Sequence, residues 1–223
     1  TLPENVFSGL SELTILELRN NPFELIPGGL FNPLVNLQTL YLSNVRMTEF
    51  NSLWFSNNPN LQTLYIYNNL LTSLPENAFS GLVNLVGLDI GLNGLTTIPA
   101  NIFRPLTNLT YLYIDNCALT EINPAWFDTL RNLFVLAMYF NNFTTVPENA
   151  FNPLTNLFVL DIGFNPISSI PANTFRSLTS LQTLYLNQLR LTSVMTEWFA
   201  TTPNLQYIFL NFNQIDELPT GVF

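Results

Sequence analysis

The sequence is a tandem array with a strict period of 24 residues. Phenylalanine recurs once in each period from Phe7 to Phe223, without an insertion or a deletion. Leucine keeps the same spacing from Leu13 to Leu205, and each of these leucines opens a version of the pattern L-x-x-L-x-L-x-x-N-x-L. Because a unit of this length cannot bury its own apolar face, neighbouring units must stack on one another. The period therefore predicts a solenoid.

Each unit divides into a short strand and a return segment. The L-x-L core alternates between inward and outward side chains, as a β-strand does. A return segment with Leu-Pro or Ile-Pro and the recurrent phenylalanine follows in most units. We expect the stacked strands to form one parallel sheet above a core of leucine and phenylalanine. The asparagine after the strand should lie in a tight bend and bond buried backbone groups of adjacent coils.

This pattern resembles the "typical" 24-residue leucine-rich repeat, which occurs in Toll-like receptor ectodomains and small proteoglycans. The resemblance covers the whole chain, residues 1–223, as one domain of nine repeats. It implies an α/β solenoid of horseshoe shape, with a parallel concave sheet and short irregular or 3-10 convex segments. It also implies an extracellular or cell-surface location and a recognition role. The ligand stays open, because one fold hosts many functions.

A second period of 72 residues groups the repeats into three cassettes of three. Every third repeat replaces the bend asparagine, at Val45, Cys117 and Leu189. The tryptophans follow the same spacing and are Trp54, Trp126 and Trp198. Duplication of a three-repeat block and a selected lateral spacing both explain this period. The tryptophans either fill the space left by the missing Leu-Pro step or form an exposed docking row.

Composition excludes several function classes. Fifteen acidic residues face six basic ones, all arginine, for a net charge of −9, which disfavours binding to nucleic acid. With no histidine and one cysteine, the chain cannot form a Ser-His-Asp triad, a histidine-ligated metal site or a cysteine-rich zinc site. Its apolar stretches are too short to span a membrane. We expect no cofactor, and we find no pattern typical of a catalytic carboxylate with a raised pKa.

The predicted ligand-binding surface is the outward face of the strands, which should be aromatic and acidic. Tyrosine gives a large contact area at low entropic cost and binds Lys or Arg through cation–π contacts. A protein, a peptide or a glycan fits such a surface, although tyrosine is also simply a good strand residue. The candidate contact residues are Glu17, Tyr41, Tyr65, Tyr67, Asp89, Tyr111, Tyr113, Asp115, Tyr139, Asp161, Tyr185, Tyr207 and Phe209.

Three further expectations concern modification and assembly. Asn108 and Asn142 begin N-x-Thr sequons, and Asn142 should be the more exposed acceptor. Cys117 should be a buried, unreactive thiol. The sequence has no cysteine-rich caps, so we expect either a fragment of a longer solenoid or self-association through exposed solenoid ends.

The leading interpretation is a non-enzymatic recognition or adhesion module, and the alternative is a structural protein that assembles into a fibre or surface layer.

Overall fold

A computed structural model describes residues 2–23 and 25–223 of the chain. Within that part, each repeat contributes one strand of three residues, and the strands follow one another in sequence order across a single sheet. We number each coil of the solenoid after its strand. The strands are β1 Ile15–Glu17, β2 Thr39–Tyr41, β3 Thr63–Tyr65, β4 Gly87–Asp89, β5 Tyr111–Tyr113, β6 Val135–Ala137, β7 Val159–Asp161, β8 Thr183–Tyr185 and β9 Tyr207–Phe209.

The sheet is parallel, and its register is the sequence period itself. Leu40 of β2 pairs with Leu64 of β3, and Leu64 pairs with Leu88 of β4. The middle residue of each strand points into the core, and its two neighbours point away from it. Because no repeat has an insertion, each buried leucine lies directly beside its equivalent in the next coil. The outward residues consequently form straight columns across the sheet.

The return segments contain turns and only brief helical structure. Two 3-10 helices are present, Pro124–Phe127 and Thr196–Trp198, and the described residues form no α-helix. Asn123 caps the first of them, since its Oδ1 accepts a hydrogen bond of 3.0 Å from the Ala125 amide. These segments confirm the predicted solenoid with short irregular or 3-10 convex segments, and within the described residues the helical part of the expected α/β class is limited to these two 3-10 helices.

The spacing of equivalent aromatic rings shows why the solenoid curves. On the strand side, the ring centroids of Tyr41 and Tyr65 are 4.8 Å apart. In the return segments, the corresponding distances are 6.0 Å for Phe31 and Phe55 and 6.3 Å for the pair Phe79 and Phe103. Each coil is thus a wedge with its narrow edge at the strand, because bulky phenylalanine rings hold the other edge apart. The sheet therefore lies on the inner, concave side.

The bend asparagines form a ladder that serves the backbone of adjacent coils. Asn69 is 6 % exposed and donates Nδ2 hydrogen bonds of 2.9 Å to the carbonyls of Leu42 and Ile66. Its Oδ1 accepts from the amides of Val45 and Met47 at 3.0 and 3.1 Å. The same kind of bonding recurs at Asn93, Asn141, Asn165 and Asn213. Backbone groups that the bend buries are thereby paired, as predicted.

Every third coil solves the same problem without the asparagine. Val45 and Leu189 are buried apolar residues at the ladder position. In the coils before them, the amides of Phe23 and Ile167 bond the carbonyls two residues earlier, at 2.9 and 2.8 Å. The three tryptophans of these coils are only 1–3 % exposed, so they fill the core and do not form a docking row. At Cys117, burial raises the pKa of the half-buried thiol to about 11, which makes it unreactive.

Candidate ligand-binding face

The outward side chains of the strands and of the residues just after them form a continuous concave face. The first and third residue of each strand point away from the core, and the residue two positions after the strand extends the same surface. We call this surface the sheet face. All thirteen predicted contact residues lie on it, since each occupies one of these positions.

Aromatic rings on the sheet face stack from coil to coil. Tyr41 and Tyr65 are stacked with an angle of 4° between their planes, and Tyr185 and Phe209 are stacked with centroids 4.4 Å apart. Tyr111 is 39 % exposed and Tyr207 is 58 % exposed, whereas Tyr67 and Tyr113 are half-buried. Stacking on a ring of the next coil thus fixes the orientation of these side chains, and their outer edges face solvent.

Two carboxylates on this face are held in place and partly removed from water. The Oδ1 atoms of Asp89 and Asp161 accept hydrogen bonds from the Gly91 and Gly163 amides, at 3.1 and 2.9 Å. Burial raises the pKa of each carboxyl to about 6, against the lowering effect of that amide bond, and Asp115 raises both further. No pattern in the sequence indicates these raised pKa values. Burial of each carboxyl raises its pKa, and a repeat pattern does not reveal how deeply an outward side chain is buried.

Asp115 lies deeper than its outward column position suggests. It is only 6 % exposed, and its Oδ2 accepts a hydrogen bond of 3.0 Å from Asn116 Nδ2. Beside it, Tyr139 has its pKa raised to about 12, first by burial and then by the nearby Asp115 carboxylate. Asp115 thus acts on the sheet face through its negative charge more than through its exposed surface.

Glu17 shows how this face accommodates a cation. Arg19 pairs with Glu17, and its guanidinium carbon lies 5.3 Å from the centroid of the Tyr41 ring. This is the only salt bridge among residues 2–23 and 25–223. An acid followed by a tyrosine on the next strand recurs in coils 4 and 7, as Asp89 with Tyr113 and Asp161 with Tyr185.

Sequence reasoning left two phenylalanine pairs out of the predicted site. Phe134 and Phe158 precede strands β6 and β7 and stack with centroids 4.5 Å apart. Phe140 and Phe164 follow the same strands and stack at 4.0 Å, both with a positive φ, of 51° and 54°. A left-handed backbone is unfavourable for so bulky a residue, and four other coils place asparagine there. The predicted site selects mainly outward tyrosine and acidic residues, so these phenylalanines are left out of it.

The two sequons differ in their surroundings. The side chain of Asn108 is exposed, but its Nδ2 donates to the Val83 carbonyl at 3.1 Å as part of a second row of inter-coil bonds. Asn142 is exposed, and the bonds found in the described part of the chain engage only its backbone amide. Asn142 therefore has the more accessible side chain of the two.

The described residues place no group of three or more His, Cys, Asp or Glu side chains where they could hold a metal ion. Among the same residues, no helix has the length and apolarity that crossing a membrane requires. The chemical groups that the sheet face offers to a ligand are aromatic rings, carboxylates and amide side chains.

Comparison with protein families decides what kind of chain this is. The profile described as "Leucine rich repeat" matches residues 1–47, 35–95, 84–141, 107–167, 136–188 and 180–223, which together span the sequence. The chain belongs to the leucine-rich repeat family. The resemblance drawn from the 24-residue pattern is thereby confirmed at the level of the family.

Solved structures of leucine-rich repeat proteins share this fold at low sequence identity. A TLR13–ssRNA13 complex matches with a TM-score of 0.79 and 23 % identity, over 99 % of this chain and 36 % of that one. A Drosophila Toll–Spatzle complex matches with a TM-score of 0.64 and 22 % identity, over 100 % and 36 %. The APL1 leucine-rich repeat domain gives 0.71 and 20 %, over 94 % and 65 %.

These matches extend to the fold and no further. The leucine-rich repeat chain described here spans about a third of the length of the first two structures and 65 % of the third. No curated protein matched the sequence significantly. The function must therefore be argued from the sheet face of this chain.

The raised carboxylate pKa values predict a pH-dependent stability. A folded-state pKa of about 6 for Asp89 means that folding favours the neutral acid, so this contribution is complete below pH 4 and is lost as the pH rises through 6. Asp89→Asn should therefore raise the free energy of unfolding at pH 7.5 by about 2 kcal/mol, after allowance for partial exposure. Urea denaturation at pH 4 and pH 7.5 measures the difference.

The exposed acid Glu121 supplies the control, because Glu121→Gln changes the net charge by the same amount. That variant should show the same stability relative to the wild type at both pH values. An equal effect of Asp89→Asn at pH 4 and pH 7.5 would contradict desolvation of Asp89.

Proposed function

We propose that this leucine-rich repeat protein is a non-enzymatic, extracellular recognition module that binds a protein or peptide on its sheet face. The observation that carries the proposal is the pair Asp89 and Asp161, two desolvated carboxylates among tyrosine rings with no cation beside them in the described structure. A charge held in this way costs stability at neutral pH. Such a cost is typical of residues kept for function.

The chemistry of the face defines the partner it fits. Its carboxylates and tyrosines favour Lys and Arg side chains, through ion pairs and cation–π contacts. The stacked pairs Phe134–Phe158 and Phe140–Phe164 add exposed apolar surface in coils 6 and 7. Exposed aromatic surface of this kind is typical of interaction sites. We infer a partner with basic residues opposite Asp89 and Asp161, in coils 4 and 7, and with apolar residues opposite the phenylalanine pairs of coils 6 and 7.

Nucleic acid is a poor fit to this chain, although the fold admits it. One structural neighbour is described as a complex with single-stranded RNA. Phosphate binding depends on Lys and Arg, and here six arginines stand against fifteen acids. The proposal therefore excludes nucleic acid on the charge of this chain and not on its fold.

The arrangement of the acids also supports a non-enzymatic role. Asp89 and Asp161 lie on β4 and β7, three strands apart, a distance of roughly 14 Å at the usual strand spacing. Paired glycosidase carboxylates are about 5–9.5 Å apart. The raised pKa of each acid follows mainly from burial, so no catalytic companion is needed to explain it.

The test is binding after removal of the tyrosine rings. Replacing Tyr65, Tyr113 and Tyr185 by alanine should lower affinity for a captured extracellular protein partner at least a hundredfold, because tyrosine rings supply much of the contact area of the sheet face. Candidate partners come from a secreted-protein panel, and biolayer interferometry measures the dissociation constant. A glycan array probed with the same variant covers the remaining ligand class.

A triple variant outside the sheet face provides the matched control. Thr72, Thr96 and Thr120 are exposed and lie beyond the strands. Replacing them by alanine should leave the affinity unchanged. Equal affinities of the tyrosine variant and the threonine variant would overturn the proposed function.

The 72-residue period favours one second candidate, a structural protein that assembles laterally or end to end. Analytical ultracentrifugation of the wild-type protein at increasing concentration separates the two functions. A recognition module should remain one sedimenting species. Concentration-dependent fibres or sheets would favour assembly.

A further inference from the structure

One outward position of the sheet face carries no side chain. The first residue of β4 is Gly87, whereas the same position holds threonine, valine, isoleucine or tyrosine in the other eight strands. A depression of about 320 Å³ opens there. Its floor is Gly87, and its walls include Thr63, Tyr65, Tyr111, Tyr113 and the carboxylate-bearing Asp89.

The missing side chain opens the depression without straining the backbone. A Cβ atom added at Gly87 would meet Thr63 Cγ2 at 3.3 Å and no backbone atom within 4 Å. Coils 6 and 7 carry Val135 and Val159 at this position within strands of the same register. A side chain at Gly87 is therefore compatible with the fold once the Thr63 side chain shifts by a few tenths of an ångström, and its absence leaves room for a group from outside.

The internal Arg19 contact shows what such a group should be. In coil 1, the acid Glu17 and the tyrosine Tyr41 hold the cation of Arg19, two residues after the acid. In coil 4, the equivalent acid and tyrosine are Asp89 and Tyr113, but the residue two positions after the acid is Gly91. Coil 4 thus repeats the acid and the ring without the cation.

A side chain at Gly91, which could supply that cation from within, would crowd the neighbouring coil. A Cβ at this position would lie 3.0 Å from the Asp115 carbonyl oxygen and 3.1 Å from Asp115 Oδ1. These contacts are too close for a side chain unless the next coil moves. The Gly91 amide instead orients the carboxylate of Asp89, as described above.

We propose that the depression at Gly87 is a socket for a single Lys or Arg side chain of the protein partner. The inference rests on the proposed function and names the residue type that the sheet face recognises. The aliphatic part of the side chain would lie over Gly87 between the rings of Tyr65 and Tyr111. The charged group would reach the Asp89 carboxylate beside Tyr113.

Both kinds of contact are available at once in this geometry. The long apolar stems of Lys and Arg pack on aromatic surface while their charge stays in a polar environment. The carboxylate is already desolvated and fixed by the Gly91 amide, so little further ordering is needed on binding. A neutral side chain of the same length would gain the packing but would leave the carboxylate unpaired.

The test uses small probes of defined charge. N-acetyl-lysine amide and N-acetyl-arginine amide should produce saturable NMR shifts in the ring protons of Tyr65, Tyr111 and Tyr113. The neutral isosteres Nα-acetyl-2-aminoheptanoic acid amide, for lysine, and Nα-acetyl-citrulline amide, for arginine, should bind at least tenfold more weakly. Equal binding of charged and neutral probes would overturn the proposal.

Two variants address the socket itself. Gly87→Val, which introduces the residue found in coils 6 and 7, should abolish the ring shifts by filling the depression. Asp89→Asn keeps the shape and the bond to Gly91, and it should weaken the cationic probes about tenfold while leaving the neutral ones unchanged. Glu121→Gln, an exposed change outside the face, controls for net charge and should alter neither.

The outcomes separate this inference from the proposed function. Retained probe binding in Gly87→Val, checked for folding by circular dichroism, would overturn the socket. Failure of all probes alongside tyrosine-dependent capture of a protein partner would also overturn the socket, and the recognition function would stand. Probe binding that depends on Gly87, with partner capture unaffected by the tyrosine variant, would support the socket and overturn the proposed function.

Discussion

Replacing Trp126 by alanine should lower the free energy of unfolding by about 4 kcal/mol, because a large buried ring is exchanged for a cavity. Trp126 is 3 % exposed and packs edge-on against Phe127 with centroids 6.2 Å apart. Its Nε1 donates a hydrogen bond of 3.2 Å to the Ile98 carbonyl of the preceding coil. Urea denaturation followed by circular dichroism gives the difference.

A pair of milder substitutions isolates the hydrogen bond from the packing. Trp198 is equally buried, but its Nε1 has no partner within the described residues. Trp126→Phe should therefore cost about 1 kcal/mol more than Trp198→Phe, since only the former leaves a carbonyl unpaired. Indistinguishable losses in the two phenylalanine variants would mean that ring volume alone stabilises these coils.

Asn69→Leu should lower the free energy of unfolding by about 3 kcal/mol or more, because two carbonyls and two amides lose their partner. These four groups belong to two neighbouring coils, so the loss should be felt on both sides of the bend. Leucine keeps a similar volume, which limits any contribution from a cavity. Hydrogen exchange of the Val45 and Met47 amides reports where the structure opens.

Asn60 offers a matched comparison, since it also donates one inter-coil bond, of 3.0 Å to the Val35 carbonyl, but is exposed. Asn60→Ala should cost no more than about 1 kcal/mol, because water replaces the lost partner. A loss at Asn69 no larger than that at Asn60 would contradict the role assigned to the ladder. The bonds from Phe23 and Ile167 show how the backbone manages without asparagine in other coils.

The fold followed from sequence because its determinants are periodic. Every buried leucine, every ladder asparagine and every return-segment phenylalanine recurs at one spacing, and stacking is the only way for such units to bury them. The same logic placed Tyr65, Tyr113 and Asp161 on the outward face. A position within the repeat fixes the direction of a side chain.

The burial of each outward side chain could not be predicted from the sequence, because it depends on neighbouring residues in other coils. Asp115 and Tyr65 occupy outward columns, yet the first is buried and the second half-exposed. The depression at Gly87 lies where tyrosines of neighbouring coils flank a residue without a side chain. The raised pKa of Asp89 likewise reflects its surroundings, since its main cause is burial.

The sequential strand order has a consequence for how this surface changes over generations. Each strand adjoins only the strands before and after it in sequence, at a constant register. A mutation of one outward residue thus changes a single position on the concave face and leaves distant positions unchanged. Gain or loss of a whole repeat displaces the following outward residues by one strand, while the buried residues of neighbouring coils keep their register. In this architecture, the outward residues determine what is bound and the buried residues determine the fold. New specificities can therefore arise without a new fold.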